Sequence, residues 1–121
     1  MSDEFKAAPV KPIITIAEFE KIDIRVGTVV SVEDVNGSEK LVRLTVDFGD
    51  HQRNILAGMK QERANPQAIE GMQGLFVVNL QARKMMGELS EGMLFDIGYA
   101  DGIKPVLAVP ESVVPNGTRA G

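Results

Sequence analysis

Between Ile22 and Val32 the chain alternates. Ile22, Ile24, Val26, Thr28, Val30 and Val32 fall on one side, and Asp23, Arg25, Gly27, Val29 and Ser31 on the other. A period of two predicts a half-buried strand, and Gly27 in its middle predicts a bulge or the tight coil of a small barrel. Asn36 and Gly37, inside EDVNGSEK, are a turn signal. After them Val42, Leu44, Val46 and Phe48 alternate with Arg43, Thr45 and Asp47 as a second strand hairpinned to the first. Gly49 and Asp50 mark the next turn, and Arg53 to Ala57 reads as a third strand. The rhythm then changes: Pro66 leads Gln67 to Glu70 and Gly71 closes the segment, which predicts a short helix with proline in its first turn. Leu75 to Val78, apolar at consecutive positions, reads as a central fourth strand. The loop NLQARKMMGELSE separates it from a fifth, on which Met93, Phe95, Ile97 and Tyr99 share one face, and Val106 to Val109 adds a short final strand. Upstream, Thr15 and Glu18 have capping-box spacing ahead of Phe19, which predicts a short helix over about residues 16–21. Residues 1–12, with Pro9 and Pro12, read as a flexible tail before a domain over 13–121.

Five strands with a helix inserted between the third and fourth is the order of a five-stranded Greek-key OB barrel, an all-β fold. Here it carries a short N-terminal helix and C-terminal strand extensions. Regular alternation of strands with helices, the mark of a parallel α/β sheet, is absent. OB barrels bind oligonucleotides and oligosaccharides with a sheet face and the loops between strands 1 and 2 and strands 4 and 5. In this chain the first of those loops ends in Lys40 and the second carries Arg83 and Lys84.

Composition narrows the chemistry. At 121 residues, 44% hydrophobic and 25% charged, the chain has the make-up of one globular domain. It has no cysteine and one histidine, which rules out disulfides, thiolate and polyhistidine metal sites and cysteine nucleophiles. His51, in GDHQRN, reads as an exposed turn residue, and no G-x-S-x-G elbow accompanies it. The expectation is a non-catalytic protein without metal or cofactor. The longest run of large apolar residues, Leu75 to Val78, cannot span a bilayer. Asp3 and Glu4, with no apolar stretch behind them, are unlike a secretory leader, so a cytoplasmic location is expected. A formal net charge of −4 means that a polyanionic partner must meet a local patch. Between Arg63 and Lys84 three basic residues face only Glu70, whereas the charges from Glu88 to Asp101 are all acidic. Arg83 and Lys84 can neutralise phosphate, and Met85 and Met86 can offer polarisable apolar contacts, or simply tuck into the barrel end. Asn79 and Ser90 suit hydrogen bonds to base edges or ribose and equally suit loop capping. Five Phe and one Tyr, most at positions expected to face the core, argue against generic single-strand binding. Recognition of a folded nucleic acid by shape and backbone needs fewer rings.

Five blocks occur in one order: KIDIRVGTV at 21–29, GSEKL at 37–41, ILAG at 55–58, NLQARKMMG at 79–87 and SEGML at 90–94. Together they resemble the small OB-fold tRNA-binding domain found as a stand-alone dimeric protein and as an appendage of methionyl-tRNA synthetase. The same domain occurs in phenylalanyl-tRNA synthetase beta chains and in eukaryotic synthetase-associated cytokine-like factors. The resemblance covers roughly residues 15–119. It implies shape-based tRNA binding through Lys40, Asn79, Arg83, Lys84, Met85, Ser90 and Met93, alone or in trans with an aminoacyl-tRNA synthetase. It also implies a homodimer formed through Ile13 to Phe19 and Val106 to Val114. Where family members often carry two tyrosines after the G of the third block, this chain reads KQERANP from Lys60. The family's proline within the fourth block is missing near Ala82, which leaves that loop freer. A second branch of the fold, chaperone-like, export-associated dimers that bind peptides, is the alternative. Its blocks differ where this chain spells GSEKL, ILAG and SEGML.

Overall fold

The computed structural model describes residues 5–121. The tail expected over 1–12 therefore lies partly outside the described residues. A single turn of helix, α1 (Ile16–Phe19), opens the ordered part through the capping box: the Glu18 N–H donates to Thr15 Oγ1 at 3.1 Å, and the Thr15 N–H donates to Glu18 Oε1 at 3.2 Å. Strands β1 (Ile24–Asp34), β2 (Val42–Asp47), β3 (Gln52–Ala57) and β4 (Gln73–Val77) follow, with a 3-10 turn (Pro66–Ile69) between β3 and β4. Beyond them lie β5 (Arg83–Met85), β6 (Glu88–Ser90), β7 (Met93–Leu94), β8 (Asp96–Ile97), a 3-10 turn (Tyr99–Asp101), β9 (Val106–Leu107) and β10 (Arg119–Ala120).

The main sheet runs β3-β2-β1-β4-β7, all antiparallel, with β10 beside the start of β1. This is the curled, mostly β architecture expected of an OB barrel. Strand β1 organises it by changing partner: Ile24 to Thr28 pair with β4, and Thr28 to Asp34 pair with β2. The register slips at Val30, a β-bulge that turns this side chain outward, to 48% exposure, against its expected inward place. Val29 takes the inner position instead. Its backbone is met by residues after the Pro66 turn: the Gly71 N–H donates to Val29 O at 2.7 Å, and the Val29 N–H donates to Met72 O at 2.9 Å. Gly27 answers the coil. A Cβ there would lie 2.5 Å from Val46 Cγ1 and 2.9 Å from the Phe48 ring, so only glycine lets β1 fold so closely over β2.

The core gathers Val29, Val32, Leu44, Val46, Phe48, Ile55, Ile69 and Phe76, all essentially buried. Ile69 is presented by the Pro66–Ile69 3-10 turn, which is the short helix with proline in its first turn expected between the third and fourth strands. The barrel closes without a regular ladder. Among the described residues β3 has β2 as its only strand partner, and side chains bridge its other edge: the Leu56 N–H donates to Ser90 Oγ at 3.0 Å, and the Asn54 N–H donates to Glu91 Oε1 at 3.1 Å. One backbone bond, from the Glu91 N–H to Asn54 O at 2.9 Å, joins them. The fifth strand is broken at Phe95 into β7 and β8. Among the described residues no helix is long and apolar enough to cross a membrane.

Candidate nucleic-acid interface

Both loops that an OB barrel uses are shaped by identifiable residues. The β1–β2 connection turns on Gly37 (φ 79°), with the Ser38 N–H bonded to Val35 O at 3.1 Å. Ser38 Oγ then accepts from the N–H groups of Lys40, at 3.3 Å, and Leu41, at 3.0 Å. The Lys40 carbonyl accepts from the Lys60 N–H at 3.1 Å, which fixes the Lys40 backbone while its side chain stays in water. The β4–β7 connection, expected as a free loop, is a hairpin. β5 and β6 pair Arg83 with Ser90, Lys84 with Leu89 and Met85 with Glu88, around a two-residue turn in which Met86 (φ 51°) and Gly87 (φ 79°) are both left-handed. Positive φ at both central residues matches the twist of the flanking strands. Arg43 of β2 anchors the hairpin by an ion pair to Glu88 at 2.7 Å and binds Glu33 at 3.3 Å.

Strand alternation separates the two cations of RKMMG. Arg83 lies on the body side with Met85 and Ser90, and Lys84 on the outer side with Leu89. Arg83 lines a groove of about 750 Å³ together with Lys40 and Met93. Leu56 to Met59 from the end of β3, Gln61 and Glu62 make one wall, and Leu94, Phe95, Asp96 and Tyr99 the other. Lys40, Arg83 and Lys84 have no ion-pair partner among the described residues, whereas Arg25, Arg43 and Arg119 are each engaged by a carboxylate. Burial, helped by the nearby Asp96 carboxylate and opposed by Arg63, raises the pKa of Glu62.

The remaining expected site residues hold the frame. Asn79, exposed, accepts the Asp23 N–H at 2.8 Å on its Oδ1 and donates from Nδ2 to the Lys21 carbonyl, fastening β4 to the lead-in of β1. Ser90, 5% exposed, accepts from Leu56 and donates to Gly92 O at 3.0 Å. Met85 is half-buried at the hairpin's inner face. His51 is exposed, as expected. Its Nδ1 lies 2.6 Å from Asp50, and its Nε2 accepts from Arg53 Nε at 3.0 Å, beside a second groove lined also by Asp23, Arg25 and Asn116.

Sequence reasoning missed two things. Phe5, Phe19, Phe95 and Tyr99 are exposed, so only Phe48 and Phe76 of the six aromatic side chains face the core, contrary to expectation. The alternation of Met93, Phe95, Ile97 and Tyr99 is real, but the shared face points outward. Lys60 and Lys104 were also overlooked, and Arg63, counted only as part of a basic stretch, joins them. They surround a neighbouring hollow of about 670 Å³ that shares Gln61 and Glu62 with the first groove, and the signal was a lysine or arginine in each of the two adjoining loops.

The family model described as "Putative tRNA binding domain" matches residues 24–119, most of the chain. The chain belongs to the tRNA-binding-domain family. A methionine–tRNA ligase from Nitrosomonas europaea is 36% identical over 118 residues, or 98% of this chain. The chain spans only 17% of that ligase's length. Among solved structures, a MetRS-related protein from Pyrococcus horikoshii superposes with a TM-score of 0.84 at 33% identity, covering 92% of this chain and all of the other. The chaperone CsaA from Bacillus anthracis superposes at 0.73 with 28% identity, over 91% of this chain and all of that one. This chain is thus a tRNA-binding-domain protein, similar to a MetRS-related one and sharing its barrel with a chaperone.

Proposed function

We propose that the protein binds tRNA by shape and backbone, without catalysis, as a cytoplasmic homodimer that lends RNA affinity in trans to an aminoacyl-tRNA synthetase. One observation carries the reading: in a chain of net charge −4, unpaired Lys40 and Arg83 line one groove on the loops an OB barrel uses, with Lys84 on the same hairpin. Cations without carboxylate partners are free to displace counterions from phosphate. Asn79, Met85 and Ser90 serve this surface by fixing its elements, and Met93 supplies apolar lining. The synthetase role is supported by the resemblance to one segment of a methionine–tRNA ligase. Its benefit there is effective concentration.

The test is fluorescence anisotropy of labelled bulk tRNA against an unstructured RNA of equal length at two salt concentrations. Tighter, salt-sensitive binding to tRNA is expected. Arg83→Ala with Lys84→Ala should weaken binding to all tRNAs alike and flatten the dependence of log K on log salt by about 0.7–0.9 per lost phosphate contact. An unchanged slope would remove the proposed surface.

The alternative, peptide binding, is favoured by the apolar lining from Leu56, Met59, Met93 and Phe95 and by the likeness to a chaperone. An unfolded peptide that displaces tRNA in competition would support it.

A further inference from the structure

Two exposed rings line the groove that holds Lys40 and Arg83: Phe95 at 40% and Tyr99 at 74% exposure. Neither is needed by the core, which Phe48, Phe76 and the aliphatic residues already fill. The backbone nevertheless holds Tyr99 firmly. It begins a single 3-10 turn bracketed by two left-handed glycines, Gly98 (φ 106°) and Gly102 (φ 72°). Gly98 O accepts from the N–H groups of Asp101 at 3.1 Å and Ile103 at 3.2 Å, and the Asp101 carboxylate accepts the Ala8 N–H from the N-terminal segment.

Charges of both signs line the same groove. Lys40 and Arg83 are exposed, whereas Glu62 and Asp96 are half-buried. A phosphate is attracted to the exposed cations and repelled by the half-buried carboxylates. An uncharged ring carrying amino groups suits the part lined by the carboxylates, because a carboxylate accepts from the exocyclic amine of a base.

We propose that this groove holds one unstacked nucleobase of the bound RNA against Phe95 and Tyr99, with its flanking phosphates met by Lys40 and Arg83. The proposal rests on the tRNA reading and adds to it the part of the RNA that enters the groove. Bases in RNA loops and bends are the ones free to leave the stack. Stacking on an aromatic face accepts any base, which keeps recognition independent of sequence.

The test compares anisotropy titrations of tRNA and of a fully paired RNA duplex of equal length, using wild type, Tyr99→Ala, Tyr99→Phe and the Arg83→Ala, Lys84→Ala double variant. Tyr99 is exposed and makes no side-chain hydrogen bond among the described residues, so its substitution spares the fold. Tyr99→Ala should weaken tRNA binding about 5- to 150-fold, the effect of losing one stacked base, with an unchanged salt slope. Duplex binding should not change, and Tyr99→Phe should keep tRNA affinity within about twofold because the ring face remains. Unchanged tRNA affinity in Tyr99→Ala, with weakened affinity in the Arg83, Lys84 variant, would overturn the base site and leave the tRNA reading standing. Equal weakening for duplex and tRNA would overturn it as well, and so would loss of unfolded-peptide binding alone, which would give the groove to a peptide. Failure of wild type to bind tRNA would end both readings.

Discussion

Asp23 accepts hydrogen bonds from Arg25 Nε at 2.7 Å and Arg25 Nη2 at 3.1 Å, and from Arg119 Nε at 3.3 Å. The Arg25 bond does most to hold its carboxyl below the ordinary value of 3.8; partial burial opposes this and Arg119 adds to it. A carboxyl whose pKa is lower folded than unfolded contributes stability that is complete above the unfolded value. That contribution is lost as pH falls through the folded one. Melting temperature followed from pH 6 down to about pH 2 should therefore drop more steeply for wild type than for Asp23→Asn below about pH 4. Parallel curves would show that the cluster adds nothing. Such pairings were not visible beforehand, because Asp23 and Arg119 are 96 positions apart. The outward turn of Val30 was hidden for a different reason. A one-residue bulge between two valines leaves the apolar pattern intact while reversing which of them faces inward.

Elements were readable where period and turn chemistry agreed. β2 alternates cleanly between Asn36-Gly37 and Gly49-Asp50, which also bound β1 and β3, and the α1 capping box has the geometry its spacing predicts. The β5–β6 hairpin was not readable. RKMMGELS has no apolar alternation, and a turn that places methionine at φ 51° lacks the Asn-Gly or Gly-Gly signature. The outward face of β7 and β8 was misjudged because strands of two residues lack the length for one side to be committed to the core. Ser90 shows how such an element acquires a role. Its hydroxyl is the only partner that β6 offers the buried Leu56 N–H, so Ser90→Ala should destabilise the fold by about 1–3 kcal/mol. Chemical denaturation measures it, and a midpoint unchanged from wild type would mean that water replaces the hydroxyl.

At the scale of the molecule, apolar side chains outside the groove remain uncovered. Ile13, Ile16 and Phe19 lie near the N-terminal end, and Val106, Val109 and Val113 in the C-terminal part. Exposed apolar side chains in this number suit an interaction surface, and a second copy of the chain is the proposed cover. Sedimentation should report twice the 13.1 kDa chain mass, and Ile13→Asp with Ile16→Asp should report the single mass without loss of the barrel's β signal. A 13.1 kDa species for wild type at micromolar concentration would overturn the dimer. The groove itself follows the place where β3 and the segment around β7 meet without a ladder, bridged by Ser90 and Glu91. A barrel stitched there by the side chains of Arg53, Ser90 and Glu91 and one backbone hydrogen bond is expected to open first at that line when it is warmed or left to breathe. Any ligand lying across the line acts as a clasp, raising heat tolerance with its concentration, by about 2.7 kcal/mol at a hundredfold excess over Kd. Occupancy would then set how long the cylinder stays shut.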